Sequence, residues 1–111
     1  MTMSAELHGG IVVLKLKGTF IGKASVSIFE QAIFERLKNN MTSIVLDLAD
    51  LKFIDSAGLG AMISAMVSIG RTEGALKLAA PGGDVAKVMK SMHLDKVFTI
   101  YASVSQAEAS F

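Results

Sequence analysis

Ile44-Val45-Leu46-Asp47-Leu48-Ala49-Asp50-Leu51-Lys52-Phe53-Ile54-Asp55-Ser56-Ala57-Gly58-Leu59-Gly60 opens on an apolar run and closes on the start of an apolar helix. Ser43 to Leu48 is apolar at almost every position, the mark of a central strand buried on both faces. A short polar stretch follows, then Asp55 and Ser56, then helical spacing from about Ser56 to Ile69. One hydroxyl therefore falls where a loop enters a helix. The first turn of a helix has backbone N–H groups without internal partners and partial positive charge, so it favours a hydroxyl cap or an anion. A phosphate on Ser56 would meet the same donors.

Outward from this stretch, strand and helix patterns alternate. Met3 to Leu7 reads as a short strand, turned at Gly9-Gly10 into Ile11 to Lys17, where Leu14 and Leu16 alternate with Lys15 and Lys17. Gly18 is expected to end that strand and Thr19 to Lys23 to form an irregular loop. Ser25 to Lys38 is an amphipathic helix with Val26, Phe29, Ile33 and Leu37 on one face, stopped by Asn39-Asn40. Ala75 to Ala79 is a strand closed by Pro81-Gly82-Gly83, and Asp84 is placed to cap a helix carrying Val85, Val88, Met89 and Met92. Val97 to Tyr101 reads as a last strand, and Ser103 to Ser110 as a terminal helix. The alternation predicts one α/β domain over residues 1–111, with a mixed, mostly parallel sheet of four or five strands and about four helices.

Composition narrows the function. Of 111 residues, 51% are hydrophobic and 19% charged, which favours a packed domain over disorder. Net charge is +1 and the eleven Lys and Arg are scattered, so no basic stripe is available for nucleic acid. There is no cysteine, and His8 and His93 stand far apart without ligand partners, so neither a disulfide nor a metal site is expected. Met1 to Gly10 lacks a secretory pattern, and the apolar stretch Ala57 to Ile69 is too short to span a bilayer; a cytoplasmic protein without membrane insertion is expected.

Ser56 is a poor catalytic nucleophile on this pattern. A nucleophile elbow needs glycine two residues before the serine; Ile54 stands there, and His93 is the only candidate base. Gly58-Leu59-Gly60 has neither a GK[ST] sequence nor GxGxxG, so nucleotide binding by this chain alone is not expected and no cofactor is predicted. The bland alternative is that Ser56 only caps its helix and that Gly58 and Gly60 serve close packing.

The second helix has no charged residue between Ser56 and Gly70. On a helical wheel Leu59, Met62, Ile63 and Met66 face the core, with Val67 at the edge, and Ala57, Ala61, Ser64, Ala65 and Ser68 lie opposite. Small, uncharged residues on an outer face suit either burial within the domain or a docked partner.

Phe53-Ile54-Asp55-Ser56-Ala57-Gly58-Leu59-Gly60, preceded by Ile44 to Leu48, resembles the signature of the STAS domain, and more narrowly that of bacterial anti-sigma factor antagonists. Val12 to Gly18 and Leu94-Asp95-Lys96-Val97-Phe98 resemble further segments of that family, so the likeness covers nearly the whole chain. The resemblance implies partner switching. The unmodified antagonist binds an anti-sigma factor that is also a serine kinase and frees the sigma factor. Phosphorylation of the antagonist's serine, here Ser56 beside Asp55, breaks the complex, and a metal-dependent serine phosphatase restores it. ATP and metal belong to those partners, and the chain itself is not an enzyme.

Two positions depart from the family pattern. Gly18-Thr19-Phe20-Ile21-Gly22 has Ile21 where an aspartate is common, and Ala57 stands where many relatives have Ser or Thr. A docking surface of Ala57, Ala61, Ser64, Ala65 and Ser68, with Phe20, Ile21 and Gly22 alongside, is the expectation. On it, Ala61→Glu is expected to weaken partner binding and spare the fold. The competing reading is a STAS subunit of a non-sigma signalling or lipid-transport assembly without a working phospho-switch.

Overall fold

The computed structural model describes all residues 1–111. Five strands form one sheet in the order β1-β2-β3-β4-β5: Thr2–His8, Ile11–Phe20, Ser43–Ile54, Ala75–Ala79 and Ile100–Tyr101. β1 runs antiparallel to β2 and every other neighbouring pair is parallel. Four helices connect or follow them: α1 (Gly22–Lys38), α2 (Ser56–Gly70), α3 (Gly83–Ser91) and α4 (Val104–Ala109), with a 3-10 turn at Leu94–Lys96.

Parallel strands that succeed one another in chain order place each connecting helix on the same face of the sheet. The core follows that rule. Phe29 and Ile33 of α1, Leu59, Met62 and Ile69 of α2, and Val85 and Met89 of α3 share one cluster with Val12, Leu14, Leu16, Ile44, Leu46, Leu48 and Leu78. The second face carries a much smaller cluster, Val13, Val45 and Ala79 under Ala107 of α4. Central β3 is therefore buried on both faces at Ile44, Val45 and Leu46.

Element boundaries differ from the sequence expectation where the apolar period is broken. β2 does not stop at Gly18 but continues to Phe20, and no loop spans Thr19 to Lys23; α1 begins at Gly22. Gly18 sits at φ +88, and the β2–β3 register shifts on either side of it. Such an irregularity bends a strand without ending it. β3 runs on past Leu48 to Ile54, because Leu51 and Ile54 regain the core after the polar stretch. The last strand shrinks to Ile100–Tyr101, since the Val97 and Phe98 N–H groups turn back onto the Leu94 carbonyl instead of joining the sheet. Gly82, not Asp84, occupies the cap position of α3.

Candidate functional site

The C-terminal ends of β2 and β3 lie side by side, with Phe20 paired to Ile54, so α1 and α2 start next to each other. Asp55 is the residue that joins them. It is the N-cap of α2, and its Oδ1 accepts from the Gly58 N–H at 2.9 Å. Its Oδ2 accepts from the Gly22 N–H at 3.1 Å, on the first residue of α1. Ile21, the cap position of α1, offers no side-chain acceptor, so this carboxylate supplies what the local sequence lacks. The Asp55 N–H in turn donates to the Phe20 carbonyl at 3.2 Å. Ser25 Oγ donates to the Thr19 carbonyl at 3.3 Å and fixes the junction from the other side.

Ser56 is therefore the first residue of α2 and not its cap. Asp55 already fills the capping role, and the Ser56 side chain is exposed. Neither the Ser56 nor the Ala57 N–H has a backbone partner, as expected at the first two helical positions. The hydroxyl projects beside two free amide donors, with an adjoining carboxylate whose two oxygens are both engaged.

The two motif glycines do different work. A Cβ on Gly58 would lie 2.7 Å from the Phe20 carbonyl oxygen and 2.8 Å from Ile54 Cγ1, so only glycine lets α2 approach the ends of β2 and β3 this closely. A Cβ on Gly60 would meet nothing within 4 Å, and Gly60 is exposed. Close packing explains Gly58 and leaves Gly60 unexplained by the domain itself. Leu59 between them is buried in the core.

The expected docking surface is divided by burial. Phe20 is 0% exposed, its ring 5.1 Å from that of Phe29; it is core, not loop surface. Ala61 and Ala65 are 7% and 5% exposed, covered on the side where α1 packs. The small residues there let the two helices come close. Ser56, Ala57, Ser64 and Ser68 stay exposed, joined by Gly60 and by Val67, which the wheel had placed at the core's edge. The outward stripe of α2 is thus Ser56-Ala57-Gly60-Ser64-Val67-Ser68, uncharged throughout. Ile21, 45% exposed, and Gly22 at φ +73 flank its upper end through the Asp55 tie.

A groove of about 260 Å³ runs between α1 and α2, lined by Phe29, Glu30, Ile33, Phe34, Leu37 and the Ala61–Ser68 side of α2, and does not include Ser56. The chain-order succession of the parallel strands leaves no point where neighbouring connections diverge to opposite faces, the usual crevice for a nucleotide in an open α/β sheet. The Ser56 region is a surface, not a pocket. No helix is long and apolar enough to cross a membrane. Of the residues singled out in the sequence, the fold brings together Asp55, Ser56, Ala57, Gly58, Ile21 and Gly22. The Gly22–Asp55 bond had no signal in the sequence, because its partners are 33 positions apart.

Comparison with known proteins agrees with this architecture. The anti-sigma-F factor antagonist RsfB of Mycobacterium tuberculosis is 28% identical over 107 residues, spanning 96% of this chain and 86% of RsfB. The crystal structure of an anti-sigma factor antagonist from Mycobacterium paratuberculosis superposes with a TM-score of 0.86 at 26% identity, covering 98% of this chain and 92% of that one. SpoIIAA of Bacillus in its phosphorylated form shares the fold, with a TM-score of 0.75 at 22% identity and 98% of each chain covered. The STAS domain family model matches residues 2–107, and this chain belongs to that family.

Proposed function

We propose that this STAS protein is an anti-sigma factor antagonist that works by partner switching. In its unmodified form it binds an anti-sigma factor serine kinase through the outward stripe of α2 and the adjoining Ile21-Gly22 segment. Phosphorylation of Ser56 by that kinase, which brings its own ATP, ends the complex, and a metal-dependent serine phosphatase resets it. The observation that carries the reading is one exposed, uncommitted hydroxyl at the head of a chargeless helical stripe. The names borne by RsfB and by the Mycobacterium paratuberculosis relative support the choice of partner.

The physical effect of the modification is local. Phosphoserine adds about −1.5 to −2 charge at neutral pH, next to the Asp55 carboxylate and against a surface matched to a small hydroxyl. Repulsion and desolvation there cost about 2–5 kcal/mol of binding, a weakening of roughly thirty-fold to several thousand-fold. This is a binding function, with no turnover assigned to the chain.

Exposed Ile21, standing where an aspartate is common, favours a second reading: a STAS subunit of a different assembly in which Ser56 is never modified. The test is intact-mass measurement with site mapping on protein from its native cells, across growth and stress conditions. A partial population phosphorylated on Ser56, absent in Ser56→Ala, is the expected result. Ser56 unmodified under every condition would transfer the assignment to the second reading.

A further inference from the structure

On the opposite face of the sheet, His8 at the end of β1 stands between two carboxylates. Its Nε2 is 2.8 Å from Glu6 Oε2 on the same strand, and its Nδ1 contacts Glu108 Oε1 of α4. Glu6 and His8 are two residues apart on a strand and so share a face. Glu108 belongs to the far end of the sequence, and its contact with His8 ties the C-terminal helix to the edge of the sheet.

A neutral imidazole has one N–H and one lone pair. Either tautomer leaves a lone pair aimed at a carboxylate oxygen, and only the doubly protonated imidazolium donates to both. The geometry thus selects the cation. Consistently, the His8 pKa is raised, first by the hydrogen bond to Glu108 and then by the one to Glu6. The other charged groups near it are Lys15 of β2 and Asp47 of β3, which line the same small cavity with Val13 and Val104. Lys15 is itself engaged by Asp50 at 3.2 Å.

α4 has little else to hold it. It is six residues long, and Ala107 is its only fully buried residue. The same C-terminal turn is also held by Lys77 of β4, whose Nζ donates to the Ser110 carbonyl at 2.9 Å and to Ser110 Oγ at 2.7 Å, and lies 4.3 Å from the Phe111 ring centroid. Short terminal elements with few buried contacts open at a small fraction of the global unfolding free energy. Beneath it lie Val13, Val45 and Ala79, the apolar patch of the second face.

We propose that His8 is a pH-responsive latch: as an imidazolium clamped between Glu6 and Glu108 it holds α4 down over the second face of the sheet, and it loosens that helix as pH rises. The sign follows from linkage. A histidine whose folded pKa is raised contributes stability fully present below its unfolded value, near 6.5, and lost as pH climbs through the raised folded value. Lys77 grips the same C-terminal turn at Ser110, two residues beyond Glu108, so that turn is left with one of its two tethers when the His8–Glu108 contact is lost.

The test uses the full chain. The His8 ring is titrated by NMR, and amide exchange of Ala107 and Ser110 is followed between about pH 5.5 and about pH 8.5, corrected for intrinsic chemistry and referenced to Leu46 in β3. His8 is expected to titrate above the ordinary histidine value, and α4 protection to fall roughly threefold or more across its midpoint while Leu46 is unchanged. Glu108→Gln should lower the His8 midpoint, and His8→Gln should remove the pH dependence of α4 protection. A His8 midpoint at the ordinary value, or protection of Ala107 and Ser110 that ignores pH or keeps its pH dependence in His8→Gln, overturns the latch.

Discussion

Asp55 and Gly58 act as one unit at the residue scale, because the backbone N–H of Gly58 is what the Asp55 carboxylate caps. Asp55 also carries a second obligation to Gly22, which makes its two oxygens non-equivalent. Asp55→Ala removes the cap, at a cost of about 0.5–2 kcal/mol, and leaves the Gly22 N–H without its acceptor for roughly 1 kcal/mol more. Asp55→Asn can keep only one of the two bonds, since its amide nitrogen cannot accept. The urea midpoints are therefore expected to rank wild type, Asn, then Ala. Equal midpoints for Asn and wild type would show that whichever of the two bonds Asn gives up contributes nothing. Gly58→Ala is a different injury: its methyl would press on the Phe20 carbonyl, and backbone cannot swing aside as a flexible side chain would. A loss of about 1–3 kcal/mol is expected from such overpacking, read from the same denaturation curves.

Among elements, α2 divides between what its own domain needs and what is left over. Ala61 and Ala65 meet α1, so Ala61→Glu, expected from the sequence to spare the fold, should instead unfold it or displace α1. Ser64→Glu is the clean probe of the outward stripe: unchanged thermal stability with weakened binding to the proposed kinase partner is the expected pair of results. Gly60 sharpens the point. With open space at its Cβ, Gly60→Ala should raise helix stability by about 0.5–1 kcal/mol, and a partner that approaches the backbone closely should bind the variant less well. A stabilised variant with undiminished binding would remove Gly60 from the interface. The wheel foresaw Leu59 and Met62 as core, but it could not say that the alanine side was also covered, because that depends on where α1 lies. Ser43 to Leu48 was legible for the opposite reason: a strand buried on both faces declares itself by composition alone. Gly18 misled because a single glycine at positive φ can end a strand or bend it, and only the pairing of Phe20 with Ile54 shows which. The Asp-Ser-x-Gly core marked the candidate site, but the sequence reading offered Ser56 as the cap, and the structure gives that role to Asp55.

For the whole molecule, the question is whether a phosphate at Ser56 must refold anything to act. The domain's main core lies between the sheet and α1, α2 and α3, and Ser56 contributes nothing to it. Its hydroxyl is exposed at the first position of α2, where the Ser56 and Ala57 N–H groups lack backbone partners. A negative group at a helix start is favourable by about 0.3–1 kcal/mol, and repulsion from Asp55 acts against it. These opposed terms leave the folded domain's stability changed by less than about 1 kcal/mol, or roughly 4 °C in Tm for a domain of this size. Binding is expected to fall far more, since a desolvated partner surface has no water to spread the new charge. Phosphoserine installed at position 56 should therefore give a protein with near-native Tm and unaltered exchange protection at Gly22 and Leu59. Its affinity for the kinase should be reduced at least thirty-fold, as roughly 2 kcal/mol requires. A phosphoprotein that melts many degrees lower, or loses protection at Gly22, would mean that the charge acts by breaking the Asp55 tie between α1 and α2, and that the switch is conformational.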